Sequence, residues 1–306
     1  MDLCLVIHYN GIKMEGSIVM EYILILLGLI LIFIGYVKFE NINLEVTNYK
    51  IRSNKLEETF DGTRFVVVAD LHNNTFSRNN DRLIKEINKV NPDFIIIAGD
   101  LIVGKRESDF KVALSFLKEI SSKYPIYYGF GNHEQRVIPK GKYYNKQWQS
   151  YLSNIRDLNV HLLDNESIKY YKDDKSIEIH GLSIDLKFFQ RHKIPKMEEA
   201  YLEKLIGKLD EKCYNIVIAH NPIYFKDYQK LKGDLILSGH LHGGIVRIPF
   251  VGGLISPQFE LFPKYDAGYF EENGQVMLVS RGLGTHTIKL RVFNRPELMT
   301  VTLERE

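Results

Sequence analysis

The chain has 306 residues, 45% of them hydrophobic and 25% charged, with a formal net charge of +2. That length suits one large or two small globular domains, and charges of both signs spread along it leave no nucleic-acid footprint. Its two cysteines, Cys4 and Cys213, exclude a disulfide framework, because Cys4 precedes a long apolar segment and Cys213 lies deep in the globular part.

In chain order, the first element is "IVMEYILILLGLILIFIGYV" (18–37), whose one charge is Glu21. Twenty helical residues span roughly 30 Å, about the thickness of a bilayer core. A buried core helix would show a polar face, and none is visible across 23–37. The following "KFENINLEV" lacks the small residues of a signal-peptidase site. The reading is an uncleaved, single-pass membrane anchor inside an N-terminal segment of residues 1–39. Met20 offers a second start that would leave a short signal anchor. Lys13 precedes the segment, while Lys38, Lys50, Arg52 and Lys55 follow it. A literal positive-inside count keeps the large domain cytoplasmic. Those later charges can equally belong to folded structure, so both sides of the membrane stay open.

Residues 40–306 read as one domain without linker, low-complexity stretch or internal repeat. Strand candidates are "RFVVVA" (64–69), "FIIIA" (94–98), "IYYGF" (126–130), "NIVIA" (215–219), "LILS" (235–238) and "VMLVS" (276–280). Each is a near-continuous apolar run, as expected of strands buried on both faces. Between them, Leu83, Ile84, Ile87 and Val90 recur at helical spacing. So do Phe110, Leu114, Leu117 and Ile120 behind a cap at Ser108. Trp148, Tyr151, Leu152, Ile155 and Leu158 mark a third helix, and Leu202, Leu205, Ile206 and Leu209 a fourth. Residues 160–185 alternate around Asp173-Asp174 and predict an antiparallel meander. Parallel-type strands with helices, then hairpins, indicate an α/β layered sandwich.

Five of those strands end in polar clusters: "ADLHN" (69–73), "AGDL" (98–101), "FGNHE" (130–134), "AHNP" (219–222) and "SGHLHGG" (238–244). Ligands in α/β sheets collect at the carboxyl ends of strands. The clusters carry Asp70, His72, Asp100, Asn132, His133, His220, His240 and His242. If the last pair lies on extended chain, His240 and His242 face one common point, since positions i and i+2 share a side. The other histidines (His8, His161, His180, His192 and His286) share no pattern and are assigned to surface or packing.

Neutral imidazoles and carboxylates suit Zn, Mn or Fe, and no thiolate cluster suggests a structural zinc. Seven oxygen and nitrogen ligands are too many for one such ion and suit two. Two ions about 3.5–4 Å apart need a bridging carboxylate, and Asp100, behind a glycine that allows close approach, is the natural bridge. Such a pair can hold a hydroxide in line with phosphorus and neutralise developing charge. His133, beside Asn132, is then free to protonate a leaving oxygen.

Asp70-Leu71-His72, Gly99-Asp100, Gly131-Asn132-His133-Glu134, His220 and Gly239-His240-Leu241-His242 resemble the motif set of calcineurin-like metallophosphoesterases, in the family's order. The resemblance runs from about residue 45 to the C-terminus. "GHLHGGIVRIPFVGG" and "SRGLGTHTIKLRVFNRPEL" are similar to the membrane-associated bacterial branch, the YaeI/YkuE-like phosphoesterases. The resemblance implies a four-layer αββα sandwich with a dimetal site at its top. It places one ion on Asp70, His72, Asp100 and His242, and the second on Asp100, Asn132, His220 and His240. It makes His133 the general acid, with Glu134 behind it as an acidic orienter. Ile245 departs from the glutamine that this branch often has after the paired glycines, which puts a polar substrate contact in doubt. His286 falls where the branch varies. Arg247, Arg281, Lys289 and Arg291 are within reach of a phosphate in principle, but read as solvated charges and stay outside the catalytic set.

The expected activity is metal-dependent phosphoester hydrolysis, with a phosphodiester or pyrophosphate as substrate. Relatives in this branch are linked to nucleotide-activated lipid of the UDP-2,3-diacylglucosamine type. An anchor near the bilayer makes a lipid-linked phosphate physically sensible. Phosphomonoester and nucleic-acid cleavage are the alternatives within the superfamily, though no basic aromatic stripe supports the latter. A non-catalytic, metal-stabilised binding module would have lost ligands or the acid, and none is missing.

Overall fold

Valine, isoleucine and phenylalanine fill both faces of the central strands, so each strand must be covered on both sides. The computed structural model describes residues 7–9, 12–14, 16–105, 109–138, 146–191, 194–198, 200–285 and 290–306. Its first large sheet contains β1 (Glu45–Ser53), β2 (Arg64–Val68), β3 (Phe94–Ala98), β4 (Ile126–Gly129) and β5 (Val160–Leu163). The second contains β6 (Ser167–Lys172), β7 (Lys175–Leu182), β8 (Asn215–Ala219), β9 (Leu235–Ser238), β10 (Gly268–Glu272) and β11 (Gln275–Val279). The C-terminal β12 (Glu297–Arg305) returns to the first sheet.

The strand orders are β1-β12-β2-β3-β4-β5 and β10-β11-β9-β8-β7-β6. Strands β2 to β5 run parallel, with Val66 opposite Ile95 and Ile96 opposite Tyr127. In the second sheet β7, β8, β9 and β11 are parallel, with Ile216 between Ile179 and Leu235. The edge strands β6 and β10 are antiparallel.

Alternation along each strand sorts the apolar side chains into three buried layers. Phe65, Val67, Phe94 and Ile96 point to the other sheet and pack with Ile179, Ile216 and Leu235. Val66, Val68, Ile95 and Ile97 point outward, onto α2 (Asp81–Val90), α3 (Lys111–Ser121) and α5 (Lys146–Ile155). Val217, Ile236 and Met277 face α6 (Tyr201–Ile206) and the short helical turn of Phe225 and Tyr228. Helix, sheet, sheet, helix is the αββα sandwich expected. Removing a buried leucine or isoleucine from any layer costs about 2–5 kcal/mol.

Two local expectations need correction. The stretch 160–185 is no single meander. Val160–Leu163 pairs parallel with β4 in the first sheet, and only β6 and β7 form a hairpin, turning at Asp173 with φ 56°. Strands β1 and β12, paired over their full nine residues, were not among the candidates. The Ser108 cap lies outside the described residues; at the start of α3 the Asp109 carboxylate accepts from Lys111 N at 2.9 Å.

The N-terminal helix α1 (Gly16–Ile42) contains one stretch, Val19–Ile42, long and apolar enough to cross a membrane, with none of its apolar window buried. It continues past residue 37, and its last turns rest on the domain. Asn294 N and Arg295 Nε both donate to the Glu40 carboxylate at 3.1 Å, Phe293 N donates to Tyr36 Oη at 2.9 Å, and Arg82 donates to Ile42 O at 2.9 Å. Glu40 is buried there.

Candidate metal centre

All eight residues singled out from the sequence follow the carboxyl ends of central strands. Asp70 and His72 follow β2, and Asp100 follows β3. Asn132 and His133 follow β4 and open α4 (Asn132–Val137). His220 follows β8, and His240 and His242 follow β9. The strands of both sheets thus deliver their loops to one cavity of about 210 Å³, lined by His72, Asp100, Asn132, His133, His240 and His242 among others. Asp70 and His220 are buried too.

The backbone pays for this convergence. Asp70, His72, Asp100, His240 and His242 hold φ between 48° and 67°. Left-handed backbone in a non-glycine residue costs about 1–3 kcal/mol and persists where the surroundings over-determine it. His240 and His242 therefore do not share a side through extended chain, as the spacing suggested; a tight left-handed turn aims both at the centre. Gly99 holds φ 87°, and a Cβ there would sit 2.5 Å from His220 Nδ1. One on Gly131 would collide with the Asp100 carboxylate. These two glycines let the Asp100, Asn132 and His220 loops touch.

Asp100 Oδ2 lies 3.1 Å from His220 Nε2, 3.8 Å from His72 Nε2 and 3.9 Å from His133 Nε2. Asp70 Oδ1 lies 3.6 Å from His242 Nε2 and 3.7 Å from His220 Nε2. Three groupings bring ligand atoms close enough to hold an ion: Asp70 with His72 and His242; His72 with Asp100 and His133; and Asp100 with His220 and His240. Asn132 Oδ1 and His240 Nε2 are buried without a hydrogen-bond partner. Buried polar atoms are normally paired, so these two fit lone pairs directed at a cation. The donor set, oxygens and imidazoles without thiolate, suits transition metals.

Ring orientation separates the histidines. Nδ1 of His72, His220 and His242 faces the carbonyls of Ile102 (3.3 Å), Ala98 (2.7 Å) and Gly284 (3.1 Å). A ring that donates from Nδ1 keeps its Nε2 lone pair free for the centre. His133 is reversed: Gly104 N donates to its Nδ1 at 2.7 Å, so the neutral ring carries its proton on Nε2. Arg136 Nη1 stands 3.3 Å from that Nε2, a second donor group at the longer distance.

Burial pushes Asp70 up to about 7, helped by the neighbouring Asp100. Burial works the same way on Asp100, but His220, His133 and His72 together hold it well below the usual carboxylate range. Against burial, Asp100 and Asp70 push His220 up to about 10, while burial and then His220 push His240 down to about 3. A dense, buried set of charges like this is a common mark of a functional site.

Glu134 is wholly buried and accepts from Asp100 N and Gly131 N (both 2.9 Å), Tyr128 Oη (2.7 Å) and Ile102 N (3.3 Å). What it orients is the backbone of two ligand loops; the His133 ring is held by Gly104. Arg291 is not a solvated charge either, being buried with Nη2 on the carbonyls of Arg281, Gly282 and Gly284. Arg247 pairs with Asp266, and Arg281 with Glu45 and Glu297. Ile245 lines the cavity. Cys4, His192, His286 and Lys289 lie outside the described residues. Sequence reasoning missed Arg136, which also lines the cavity; its place one helical turn after His133 was the available signal.

The Calcineurin-like phosphoesterase family profile matches residues 63–244. The metallophosphoesterase YkuE of Bacillus subtilis is 26% identical over 274 residues, covering 88% of this chain and 89% of that one. Phosphodiesterase YaeI of Escherichia coli is 26% identical over 243 residues, covering 78% and 82%. The zebrafish (Danio rerio) "Transmembrane protein with metallophosphoesterase domain" is 23% identical over 273 residues, covering 85% of this chain and 57% of that longer protein. With the matched span enclosing every ligand loop described, the chain belongs to the calcineurin-like phosphoesterases, a family of metal-dependent phosphoester hydrolases.

Proposed function

We propose that this protein is a membrane-anchored dimetal phosphoesterase that cleaves a phosphodiester or pyrophosphate bond of a lipid-linked substrate, in the manner of a UDP-2,3-diacylglucosamine hydrolase. Residues 1–39 would carry the anchor and residues 40–306 the catalytic domain. Asp70, His72, Asp100 and His242 would hold one ion, and Asp100, Asn132, His220 and His240 the other, drawn from Mn, Fe or Zn. When bound, the pair supplies Lewis-acid stabilisation of phosphoryl charge and a nucleophile usable at neutral pH.

The chain's own residues do the rest. Asp100 faces both groups of imidazoles, so one carboxylate would be shared by both ions. Asp70 is fixed by the His240 amide, which donates to its oxygens at 3.1 and 3.2 Å. His133 presents an Nε2 proton to the cavity and gives it to the leaving oxygen. Arg136 meets a phosphoryl oxygen beside it. The observation that carries the proposal is the reversed His133 ring: three neighbouring imidazoles turn Nδ1 to a carbonyl, and this one turns Nδ1 to an amide that donates to it. The anchor reading is supported by the exposed apolar helix and by the zebrafish relative's transmembrane description. The test is hydrolysis of an aryl phosphodiester, which chelation should abolish and Mn²⁺ restore. Activity that survives complete chelation would refute it.

A further inference from the structure

The chain after the His240–His242 turn carries exposed apolar side chains that no core contact explains. Phe250 is fully exposed, and Val251, Leu261, Phe262 and Phe293 are each more than half exposed. Hydrogen bonds tie together the segments that carry them: Arg247 N to Val292 O at 3.1 Å, Leu254 N to Val246 O at 2.8 Å, and Phe262 N to Leu254 O at 3.0 Å. The surface borders the catalytic cavity, where Phe259, Ile245 and Pro257 form part of the lining.

Phe250, Phe259, Phe262 and Phe293 all hold φ between 49° and 66°. A bulky aromatic residue in left-handed backbone is a genuine outlier, and glycine or asparagine would relieve it. The chain keeps strained phenylalanines at these turns and leaves their side chains substantially exposed to water. An aqueous surface gives no return for either feature. An apolar phase gives one.

The contacts of α1 set the level of this surface. Phe293 packs on Tyr36, ring centroids 5.7 Å apart. Tyr36 is six residues before the helix end at Ile42, roughly 9 Å along the axis. The domain face that carries Phe293 therefore overlaps the last turns of the one helix among the described residues that is long and apolar enough to cross a bilayer. Arg295 lies 5.3 Å over the Phe39 ring, and Lys38 is exposed beside it, which places cations where lipid phosphates would lie.

We propose that the exposed apolar residues of 245–262, with Phe293, form a collar that embeds in the interfacial layer of the bilayer. The collar brings the cavity mouth to the membrane surface, so that the apolar part of a substrate stays in the lipid while its phosphate enters. This rests on the anchor reading above. The apolar face of an interfacial helix sinks about 5–10 Å into the headgroup/acyl boundary, and the collar would reach a similar depth.

Tryptophan reporters test it in the full chain, reconstituted into phosphatidylcholine vesicles with brominated acyl chains. Phe250→Trp places an indole on the collar, Ile30→Trp in mid-helix, and Tyr171→Trp on the exposed β6 edge; the signal of the buried native Trp148 is subtracted. Phe250→Trp should be quenched at least about twofold by bromine, as for an indole at interfacial depth. Ile30→Trp should be quenched as well, and Tyr171→Trp should not. Quenching at Ile30→Trp without quenching at Phe250→Trp overturns the collar and leaves the anchor standing. No quenching at either position refutes the anchor and the collar together. A blue-shifted, unquenched Phe250→Trp means that protein, such as a second copy of the chain, covers the patch, and that also overturns it.

Discussion

Which nitrogen of each imidazole points inward decides what the residue can do. His72, His220 and His242 donate outward to carbonyls, whereas His133 accepts from Gly104. His133→Ala should therefore slow diester turnover roughly 10²–10⁴-fold while both metals stay bound, as loss of a general acid does. Steady-state rates and elemental analysis of one preparation check this; loss of metal with the ring would make His133 a ligand. The residue types were legible in the sequence, since five polar clusters each follow an apolar run. Their orientations were not, because the carbonyls of Ala98, at the end of β3, and Gly284, in a loop, lie 122 and 42 residues away. His180, assigned to surface or packing, proves to be packing, held between Ser167 Oγ (2.6 Å) and Asn215 Oδ1 (2.9 Å). Burial lowers its pKa below 6.5, so the folded state prefers the neutral ring. That contribution is full above pH 6.5 and falls as the pH drops below it, because the unfolded chain binds the proton first. Urea midpoints of His180→Gln should depend less on pH than wild type between about pH 7 and 5, around the ordinary imidazole range. An unchanged acid slope would exclude His180 as a source.

At the scale of elements, strands buried on both faces announced themselves as unbroken apolar runs, and every such run became a central strand. Edge strands did not. In β1, "EVTNYKIRS", polar residues interrupt the apolar ones because most of the edge strand's side chains stay half-buried or exposed, and its partner β12 lies about 250 residues away. Val160–Leu163 was placed in the wrong sheet for a related reason: alternation gives a strand's faces but not its neighbours. The end of α1 was also hidden, since Glu40 looks like a polar stop yet is buried against Asn294 and Arg295. Asn294 in turn donates from Nδ2 to the carbonyls of His242 and Gly244 (2.8 and 2.7 Å), which ties the helix to a ligand loop. Glu40→Ala should cost about 1–3 kcal/mol, because it strands the buried Asn294 amide. Likewise a fragment of residues 40–306 should fold and be more stable to denaturant than one of 44–306. Equal stability of the two fragments would show that the Glu40 contacts contribute nothing.

For the whole molecule, the helix joins the domain through several hydrogen bonds rather than a flexible linker, so the proposed anchor would hold the site near the bilayer. Tethering raises the effective concentration of a membrane-bound substrate without a new contact, and full-length protein in vesicles should exceed the 40–306 fragment by at least about tenfold on a lipid-linked phosphate. On a soluble aryl diester the two should agree within about twofold, because the tether adds nothing there. Equal rates on both substrate classes would restrict the anchor to localisation.

Five loops meet in one cavity, and the proposed pair of ions would share Asp100 there. The most direct measurement is the metal content of the Mn²⁺-loaded full chain beside that of Asp100→Asn. The account predicts about two ions per wild-type chain, as a bridged pair requires, and loss of most metal together with activity in the variant. A wild-type protein that hydrolyses the diester with a metal content near zero would contradict it.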